Sequence, residues 1–195
     1  MRAWSWGSQG LERTLWDRKL ENGTTNPVCV WSPDGRTLAW SPGTWDENRA
    51  AADVYLVSDQ KTIHILGAHD NGIGSIAFSP GGSHLMTSAI DRSLALYDAK
   101  SGASLKVCWK ASHRLETSVF HPLAGLIVTG GGSGVKSSTQ PGRFYIIRVL
   151  EPLELRVIEE HVTDSAVMSV AFSPDGEHLL MGTYDRLSLF RVHLI

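Results

Sequence analysis

The segment that comes closest to a chemical motif is the glycine-rich stretch 126–137, which reads LIVTGGGSGVKS. A phosphate-binding P-loop has the pattern GxxxxGK[ST], and its second glycine lets backbone N–H groups turn toward the phosphates. Counting from Gly130 puts Val135 at that glycine's position, just before Lys136, and a β-branched residue resists the required conformation. Pro141 also follows too soon for the helix that a P-loop opens. We therefore interpret the segment as a loop between two strands and predict no cofactor.

Histidines are the second group of residues that could do chemistry, because three or four converging histidines bind zinc. The chain has eight of them, at His64, His69, His84, His113, His121, His161, His178 and His193. None forms an HxxxH or HExxH pair, and they recur with a repeat in the sequence. The two cysteines, Cys29 and Cys108, lack C-x-x-C spacing. We predict no metal site and no disulfide framework, and we expect the histidines to form hydrogen bonds between strands.

Nucleophilic catalysis has no support in the sequence either. There is no GxSxG segment, and serine, histidine and aspartate are scattered along the repeats without a distinct constellation. Asp34 and Asp175 each precede a glycine, which is typical of a tight turn rather than of paired catalytic acids. We predict that the chain is not an enzyme.

Charge and hydropathy exclude two further classes of function. The formal net charge is −2, with 18 Lys and Arg against 20 Asp and Glu, so no basic surface favours nucleic acid or an anionic membrane. No apolar run approaches the ~20 residues that cross a bilayer. The N-terminal residues lack the apolar region of a signal peptide. We expect a soluble, cytoplasmic protein.

An internal repeat in the sequence predicts the secondary-structure elements on which these residues lie. Four segments combine an alternating apolar run with an aromatic residue, then Ser or His, then proline, at Pro33, Pro80, Pro122 and Pro174. The prolines lie 47, 42 and 52 residues apart, close to the spacing of four-stranded propeller blades. The alternation predicts strands, and the Pro, Asp and Gly that follow predict tight turns. We therefore predict an all-β chain.

The repeats divide the chain into a single domain, 1–195, built from four-stranded antiparallel blades. We predict blade one at 27–66, blade two at 75–110, blade three at 117–159 and an incomplete last blade at 166–195. Residues 1–26 read as two strands that finish a preceding blade. About four blades are therefore present, which predicts a partial β-propeller.

Blade two carries a family resemblance. Its residues 67–98 contain Gly67-Ala68-His69, then Phe78-Ser79-Pro80, then a strand ending in Tyr97-Asp98, and they resemble a WD repeat. The resemblance implies a structural hydrogen-bonded tetrad of His69, Thr87, Asp91 and Tyr97, in which Tyr97 replaces the usual tryptophan. In the last blade His161 and Asp185 match the same pattern, whereas Met181 and Phe190 depart from it. Blades one and three lack the aspartate of the tight turn.

The incomplete blades leave the closure of the ring open. The early strand 12–16 could complete the last blade and give a closed ring of four blades. WD-type blades resemble members of rings of seven or eight, and propellers in general have about 4–8 blades. A larger ring could form in two ways: the chain is a fragment of a longer protein that supplies additional blades, or two chains form a homodimer that shares one ring.

Two long loops are the predicted partner-binding sites. One joins the second and third strands of blade one and contains Trp45, Asp46 and Arg49. The other makes the same connection in blade three and contains Lys136 and Arg143. Because equivalent strands run in the same direction, both loops should emerge on one face, where loops on a rigid scaffold commonly bind partners. The alternative is that both are insertions without a function.

These observations predict a non-catalytic scaffold for protein–protein interaction, which presents the loop surface of a WD-repeat propeller to a protein or peptide. The alternative is that the chain is the propeller portion of a larger enzyme or regulatory protein, such as a peptidase, kinase or sensor, whose catalytic domain lies outside these residues. Further repeats in the neighbouring sequence would favour the scaffold, and a catalytic domain would favour the alternative.

Overall fold

The computed structural model describes residues 2–7, 10–17, 27–42, 52–58, 61–132, 141–150 and 154–193. Every regular element in these residues is a β-strand, and all strand pairing is antiparallel. A two-stranded sheet comes first, formed by β1 (Arg2–Gly7) and β2 (Gly10–Asp17). The predicted all-β fold is confirmed.

Three four-stranded sheets follow, and in each of them the strands pair in chain order. Blade one consists of β3 (Val28–Trp31), β4 (Thr37–Ser41), β5 (Ala52–Ser58) and β6 (Lys61–His69). Blade two consists of β7 (Ile73–Phe78), β8 (His84–Ala89), β9 (Ser93–Asp98) and β10 (Ser104–Lys110). Blade three consists of β11 (Arg114–Phe120), β12 (Leu126–Gly132), β13 (Gly142–Leu150) and β14 (Glu154–Thr163).

The last blade has three strands among the described residues, β15 (Val167–Phe172), β16 (His178–Thr183) and β17 (Leu187–Arg191). The strand that could have completed this blade is β2, but β2 pairs with β1 in a separate sheet. A four-bladed ring closed by that strand is therefore not formed in the described part of the chain.

Tight turns join the first and second strands of each blade, as the proline-containing segments predict, and in blade one and the last blade the segment is Ser-Pro-Asp-Gly. In blade one the Ser32 hydroxyl donates to Asp34 Oδ1 at 2.6 Å, and the Thr37 N–H donates to Ser32 Oγ at 2.9 Å. Gly35 closes the turn with φ +70°, a conformation that glycine adopts without steric cost. The same arrangement recurs in the last blade around Asp175.

In blade three a histidine replaces the serine of this turn. His121 is buried, and its Nδ1 accepts the N–H groups of Leu123 and Ala124 at 3.1 and 3.0 Å. Its Nε2 therefore carries the proton of the neutral ring and donates to the Gly176 carbonyl oxygen at 3.1 Å. His121 thus ties the turn of blade three to the turn of the last blade.

Successive blades pack face to face because alternate residues of a strand point to opposite sides of the sheet. In blade two Leu85 and Tyr97 belong to the cluster shared with blade one, whereas Met86 and Leu96 belong to the cluster shared with blade three. A third cluster joins blade three to the last blade through residues that include Val128. The core is therefore a series of layers between sheets.

The glycine run of β12 has a packing role in this arrangement. A Cβ atom on Gly132 would overlap the Ala166 Cβ, and one on Gly130 would lie 2.9 Å from Val167. Gly132 pairs with Gly142 on β13, so residues 133–140 connect two antiparallel strands, as predicted. The glycines let the next blade approach closely.

Candidate functional site

A network of buried side-chain hydrogen bonds in blade two is centred on His69, at the end of β6. His69 Nε2 lies 2.6 Å from Thr87 Oγ1, and His69 Nδ1 lies 2.7 Å from Ser93 Oγ. The Ser93 hydroxyl donates to Asp91 Oδ1 at 2.5 Å, and Asp91 Oδ2 lies 3.4 Å from His69 Nδ1. The structure thus brings together three residues of the implied tetrad, His69, Thr87 and Asp91, and adds Ser93 to them.

The direction of each of these hydrogen bonds follows from the number of protons that the hydroxyl groups and the imidazole ring carry. Ser93 Oγ has one hydrogen and gives it to Asp91, so it must accept the proton of His69 Nδ1. In the neutral imidazole Nε2 is then an acceptor, and the Thr87 hydroxyl donates to it. The result is a chain of donors from Thr87 through His69 and Ser93 to the Asp91 carboxylate.

Asp91 also fixes the backbone around it. Its carboxylate accepts the N–H groups of Asp70 at 2.9 Å and of Ser93 at 2.8 Å. Burial raises the pKa of Asp91, but the His69 ring 3.4 Å away and the hydrogen bonds from Ser93 outweigh this and hold the pKa well below its usual value. The adjacent Arg92 adopts φ +71°, which is rare for a residue with a side chain. Asp91 therefore anchors the strained turn between β8 and β9.

Tyr97, the fourth residue of the implied tetrad, lies on β9 opposite Leu85 and is buried in the cluster that faces blade one. The sequence analysis missed Ser93. Its position two residues after Asp91 is a spacing at which an aspartate bonds the backbone, which points to the local turn but not to the contact with His69.

In the last blade, the aspartate at the position of Asp91 is Asp185, and its hydrogen bonds come from other residues. The carboxylate of Asp185 accepts the hydroxyl of Ser165 at 2.5 Å and that of Thr183 at 2.9 Å. These two hydrogen bonds, the first from Ser165, lower the pKa of Asp185. His161, which the resemblance places beside this aspartate, is exposed on β14, and its Nε2 lies 2.8 Å from Glu159.

In each described blade the second strand ends, and the third begins, at one end of the sheet, and the fourth strands that are described also end there because the pairing is antiparallel. We call this end the upper face. Arg143 lies there at the start of β13 and forms an ion pair with Glu160 on β14. Burial and the Arg143 charge lower the pKa of the neighbouring His113, whereas Glu160 raises it. The other predicted partner-binding residues, Trp45, Asp46, Arg49 and Lys136, lie outside the described residues.

A groove of about 570 Å³ opens from the upper face between β14 and the last blade. Its floor is apolar and includes Leu179 and Met181, both of which are buried. Its rim carries charges of both signs, among them Asp164 and Arg186, whose charged groups lie 3.7 Å apart. The sequence did not reveal the groove because its walls come from strands of different blades.

Among the described residues, Asp175, Glu177 and His178 are close enough together to share a cation. Asp175 is already engaged by the Ser173 hydroxyl at 2.5 Å and by the Glu177 N–H at 2.9 Å. Those hydrogen bonds shape the turn between β15 and β16. Within the same residues, no helix has the length and hydropathy needed to cross a membrane.

Comparison with known proteins agrees with this architecture. The chain matches the family described as WD domain, G-beta repeat, over residues 60–98 and 153–187. It is 25% identical over 162 residues to eukaryotic translation initiation factor 3 subunit I of Drosophila melanogaster, which covers 80% of the chain and 48% of that protein. It is 34% identical over 73 residues to Protein Mut11 of Chlamydomonas reinhardtii, which covers 34% of the chain and 20% of that protein.

Solved structures show the same fold. A chain of the mitotic checkpoint complex superposes with a TM-score of 0.72 at 19% identity, covering 95% of this chain and 55% of its own length. Chaetomium thermophilum Sqt1, bound to the N-terminus of a ribosomal protein, superposes with a TM-score of 0.70 at 18% identity, covering 97% and 52%. The chain spans about half the length, or less, of the proteins it matches. The repeats, the layered antiparallel sheets and these likenesses confirm the resemblance: residues 60–98 and 153–187 match WD40 repeats, and the chain has the fold of a WD40-repeat β-propeller.

Proposed function

We propose that this protein is a non-catalytic scaffold that binds a segment of a protein partner in the groove between blade three and the last blade. The observation that carries the proposal is the groove itself, with its volume of about 570 Å³, its apolar floor and its charged rim. Ligand sites in proteins commonly have this size and combine apolar walls with a few polar groups.

The two parts of the groove would act differently on a bound segment. The floor at Leu179 and Met181 offers apolar surface to an aliphatic or aromatic side chain of the partner. The rim offers the Arg186 guanidinium and the carboxylates of Glu159 and Asp164, which would orient the segment and select its charges. A partner segment with one apolar anchor flanked by charges of both signs fits this arrangement.

Asp185, which lines the groove, has its hydrogen-bonding partners within the protein. Its carboxylate accepts the Ser165 and Thr183 hydroxyls, and these hydrogen bonds lower its pKa. The solved structure of Sqt1, which holds the N-terminus of a ribosomal protein, supports peptide capture as a use of this fold. We place the activity in the cytoplasm, by analogy with the translation-factor relatives.

Site-specific photo-crosslinking tests the proposal. A benzoylphenylalanine residue at position 186, on the groove rim, should capture a discrete partner protein in cells of the source organism. The same residue at position 100, in the exposed turn between β9 and β10, is the matched control. Capture of one partner at position 186 but not at position 100 is the expected result. Equal products at both positions, or none at position 186, would contradict the proposal.

The crosslinked partner segment then allows a quantitative test. Synthesised as a peptide, it should bind the purified protein, and Arg186→Glu should weaken the binding at least about tenfold because it reverses a rim charge. Lys100→Glu changes charge by the same amount away from the groove and should leave the affinity unchanged. Titration calorimetry measures both.

A further inference from the structure

Arg92, in the turn between β8 and β9, has a backbone conformation that is unusual for a residue with a side chain. Its φ is +71°, and the other described residues with a positive φ are all glycines, namely Gly35, Gly82, Gly102 and Gly176. Glycine adopts such values without steric cost, whereas a Cβ atom crowds the neighbouring carbonyl oxygen. Strain of this kind is concentrated at functional sites. The strain at Arg92 therefore points to a use for its side chain.

The Arg92 side chain is exposed on the upper face. The backbone carbonyl oxygen of Arg92 accepts the Ala111 N–H at 2.8 Å, but in the described part of the chain its guanidinium group has no hydrogen bond or ion pair. The adjacent Asp91 carboxylate already accepts hydrogen bonds from Asp70 and Ser93. The Arg92 guanidinium group is therefore available to a ligand from solution.

Other polar side chains lie close to this turn, where blades two and three meet on the upper face. The backbone hydrogen bond holds the Arg92 turn against the connection between β10 and β11. In that connection His113 Nδ1 lies 2.8 Å from Ser112 Oγ, which lies 2.8 Å from the Tyr145 hydroxyl. Arg143 is two residues before Tyr145 on β13 and so points to the same side of the sheet. We call Arg92, His113 and Arg143 the arginine cluster.

The ionised groups around His113 carry a net positive charge. Those that act on its ring are two guanidinium groups, of Arg143 and Arg92, and one carboxylate, of Glu160. Burial lowers the pKa of His113, the two guanidinium groups lower it further and Glu160 raises it, so the ring is neutral at neutral pH. Because Glu160 is paired with Arg143, the charge of Arg92 remains uncompensated. One carboxylate would balance it, whereas a doubly ionised phosphate would exceed it.

We propose that the arginine cluster binds a carboxylate side chain in an acidic segment of a partner protein. The Arg92 guanidinium group would form paired hydrogen bonds with the carboxylate, a geometry that suits these two groups. Arg143, which Glu160 holds in place, would donate through the N–H groups that the ion pair leaves free. The inference does not depend on the groove between blade three and the last blade or on its proposed partner.

Titration with an acidic probe tests the proposal. The probe is a peptide of six glutamates with blocked ends, added to the isotope-labelled chain at neutral pH and low salt, where exposed charges are screened least. The amide signals of residues 92 and 111–113 should shift to saturation in NMR spectra. Arg92→Gln removes the charge and should raise the dissociation constant at least about fivefold, whereas Arg92→Lys should raise it less. Lys100→Gln, in the exposed turn between β9 and β10, is the matched control and should leave it unchanged.

Three results of this titration would overturn the proposal. The first is the absence of shifts at residues 92 and 111–113, and the second is an equal effect of Arg92→Gln and Lys100→Gln. The third is tighter binding of a peptide with about the same net charge, in which three phosphoserines alternate with serines, because the site would then prefer phosphate to carboxylate.

Thermal unfolding separates a use of the side chain from a structural role of the turn. Arg92→Gly relieves the positive φ, so it should unfold at the same temperature as the native chain or at a higher one, while weakening probe binding as much as Arg92→Gln. Arg186→Gly is the matched control, since Arg186 follows Asp185 as Arg92 follows Asp91 but has no positive φ. It should lower the unfolding temperature, because glycine there only makes the unfolded chain more flexible. An equally lowered temperature for Arg92→Gly would overturn the inference from strain.

Discussion

Asp91 is the residue on which most of the polar structure of blade two converges. It accepts hydrogen bonds from the Asp70 and Ser93 N–H groups and from the Ser93 hydroxyl. The Ser93 hydroxyl in turn accepts from His69, which connects Asp91 to Thr87 in the middle of β8. Removing the carboxylate therefore disturbs the ends of three strands at once.

We expect Asp91→Asn to lower the free energy of unfolding by about 1–3 kcal/mol, because the amide can accept at one oxygen where the carboxylate accepts at two. Urea unfolding measures the change. The matched control is Asp34→Asn in the exposed turn of blade one, where the loss should be smaller because water replaces the hydrogen bonds. Equal losses for the two variants would show that burial of the network contributes nothing.

The lowered pKa of Asp91 also predicts a pH dependence of stability. The unfolded chain has the ordinary value of 3.8, and the folded carboxyl titrates below it. The stabilisation is therefore fully present above the unfolded value and is lost as the pH falls below it, because the unfolded chain takes up the proton first. Native protein should lose more stability than Asp91→Asn between about pH 5 and pH 2. Parallel curves over that range would contradict the assigned hydrogen bonds.

Part of this network could be predicted from residues alone. His69, Thr87 and Asp91 stand at positions that the repeat pattern marks, and the structure brings them together. Ser93 escaped because its role depends on which hydroxyl is near enough to His69 Nδ1, and a two-residue spacing does not determine that distance. His161 is the opposite case. Its residue type matches the repeat pattern, but in the structure its ring lies beside Glu159 rather than beside Asp185.

At the scale of the strands, β12 shows how packing between blades selects residues. Glycine is unfavourable inside a strand because it has no side chain to pack. Three consecutive glycines are nevertheless accommodated here because Arg114, Ala166 and Val167 occupy the space that Cβ atoms would need. The same glycines resemble part of a phosphate loop in sequence, and their contacts give them a structural role.

We expect Gly132→Ala to lower the free energy of unfolding by about 1–3 kcal/mol, since the new Cβ would overlap the Ala166 Cβ and push the last blade away. Thermal unfolding followed by circular dichroism measures the loss. Gly81→Ala is the control, because a Cβ there meets nothing within 4 Å and its φ is not positive. A Gly132→Ala variant as stable as the control would mean that the last blade moves at no cost.

Strand positions were predictable because alternation and turn residues are local signals, but strand ends were not. Blade three was expected to end at residue 159, and its fourth strand β14 continues to Thr163 across a bulge opposite Ile146 and Ile147. The groove was beyond prediction for a related reason. It joins residues 159–165 to residues 179–193, and only the packing of two blades brings these segments together.

At the scale of the whole molecule, His121 is a buried polar link between blade three and the last blade. It is buried, and its ring lies edge-on to Phe172 with centroids 4.8 Å apart. We expect His121→Ala to cost about 2–4 kcal/mol, because it leaves the Gly176 carbonyl without its donor and opens a cavity. His84→Ala, which removes the partly exposed histidine that begins β8, is the control.

Limited proteolysis shows whether the loss of stability in His121→Ala is confined to the last blade or shared by all blades. If His121 holds the last blade on the array, His121→Ala should become sensitive to cleavage between residues 164 and 193 while blade two remains protected. Uniform cleavage along the chain would show instead that the substitution weakens all blades together, and that the contact with Gly176 has no local role.

The alternation of faces in each blade has a consequence for how the structure opens. Among the described residues, blades two and three pack against another blade on both sides, whereas the last blade packs against another blade on one side. In a linear array each unit is stabilised by its nearest neighbours, so local unfolding of the last blade breaks one interface and that of an interior blade breaks two. We therefore expect the backbone amide hydrogens of the last blade to exchange with solvent faster than those of blades two and three.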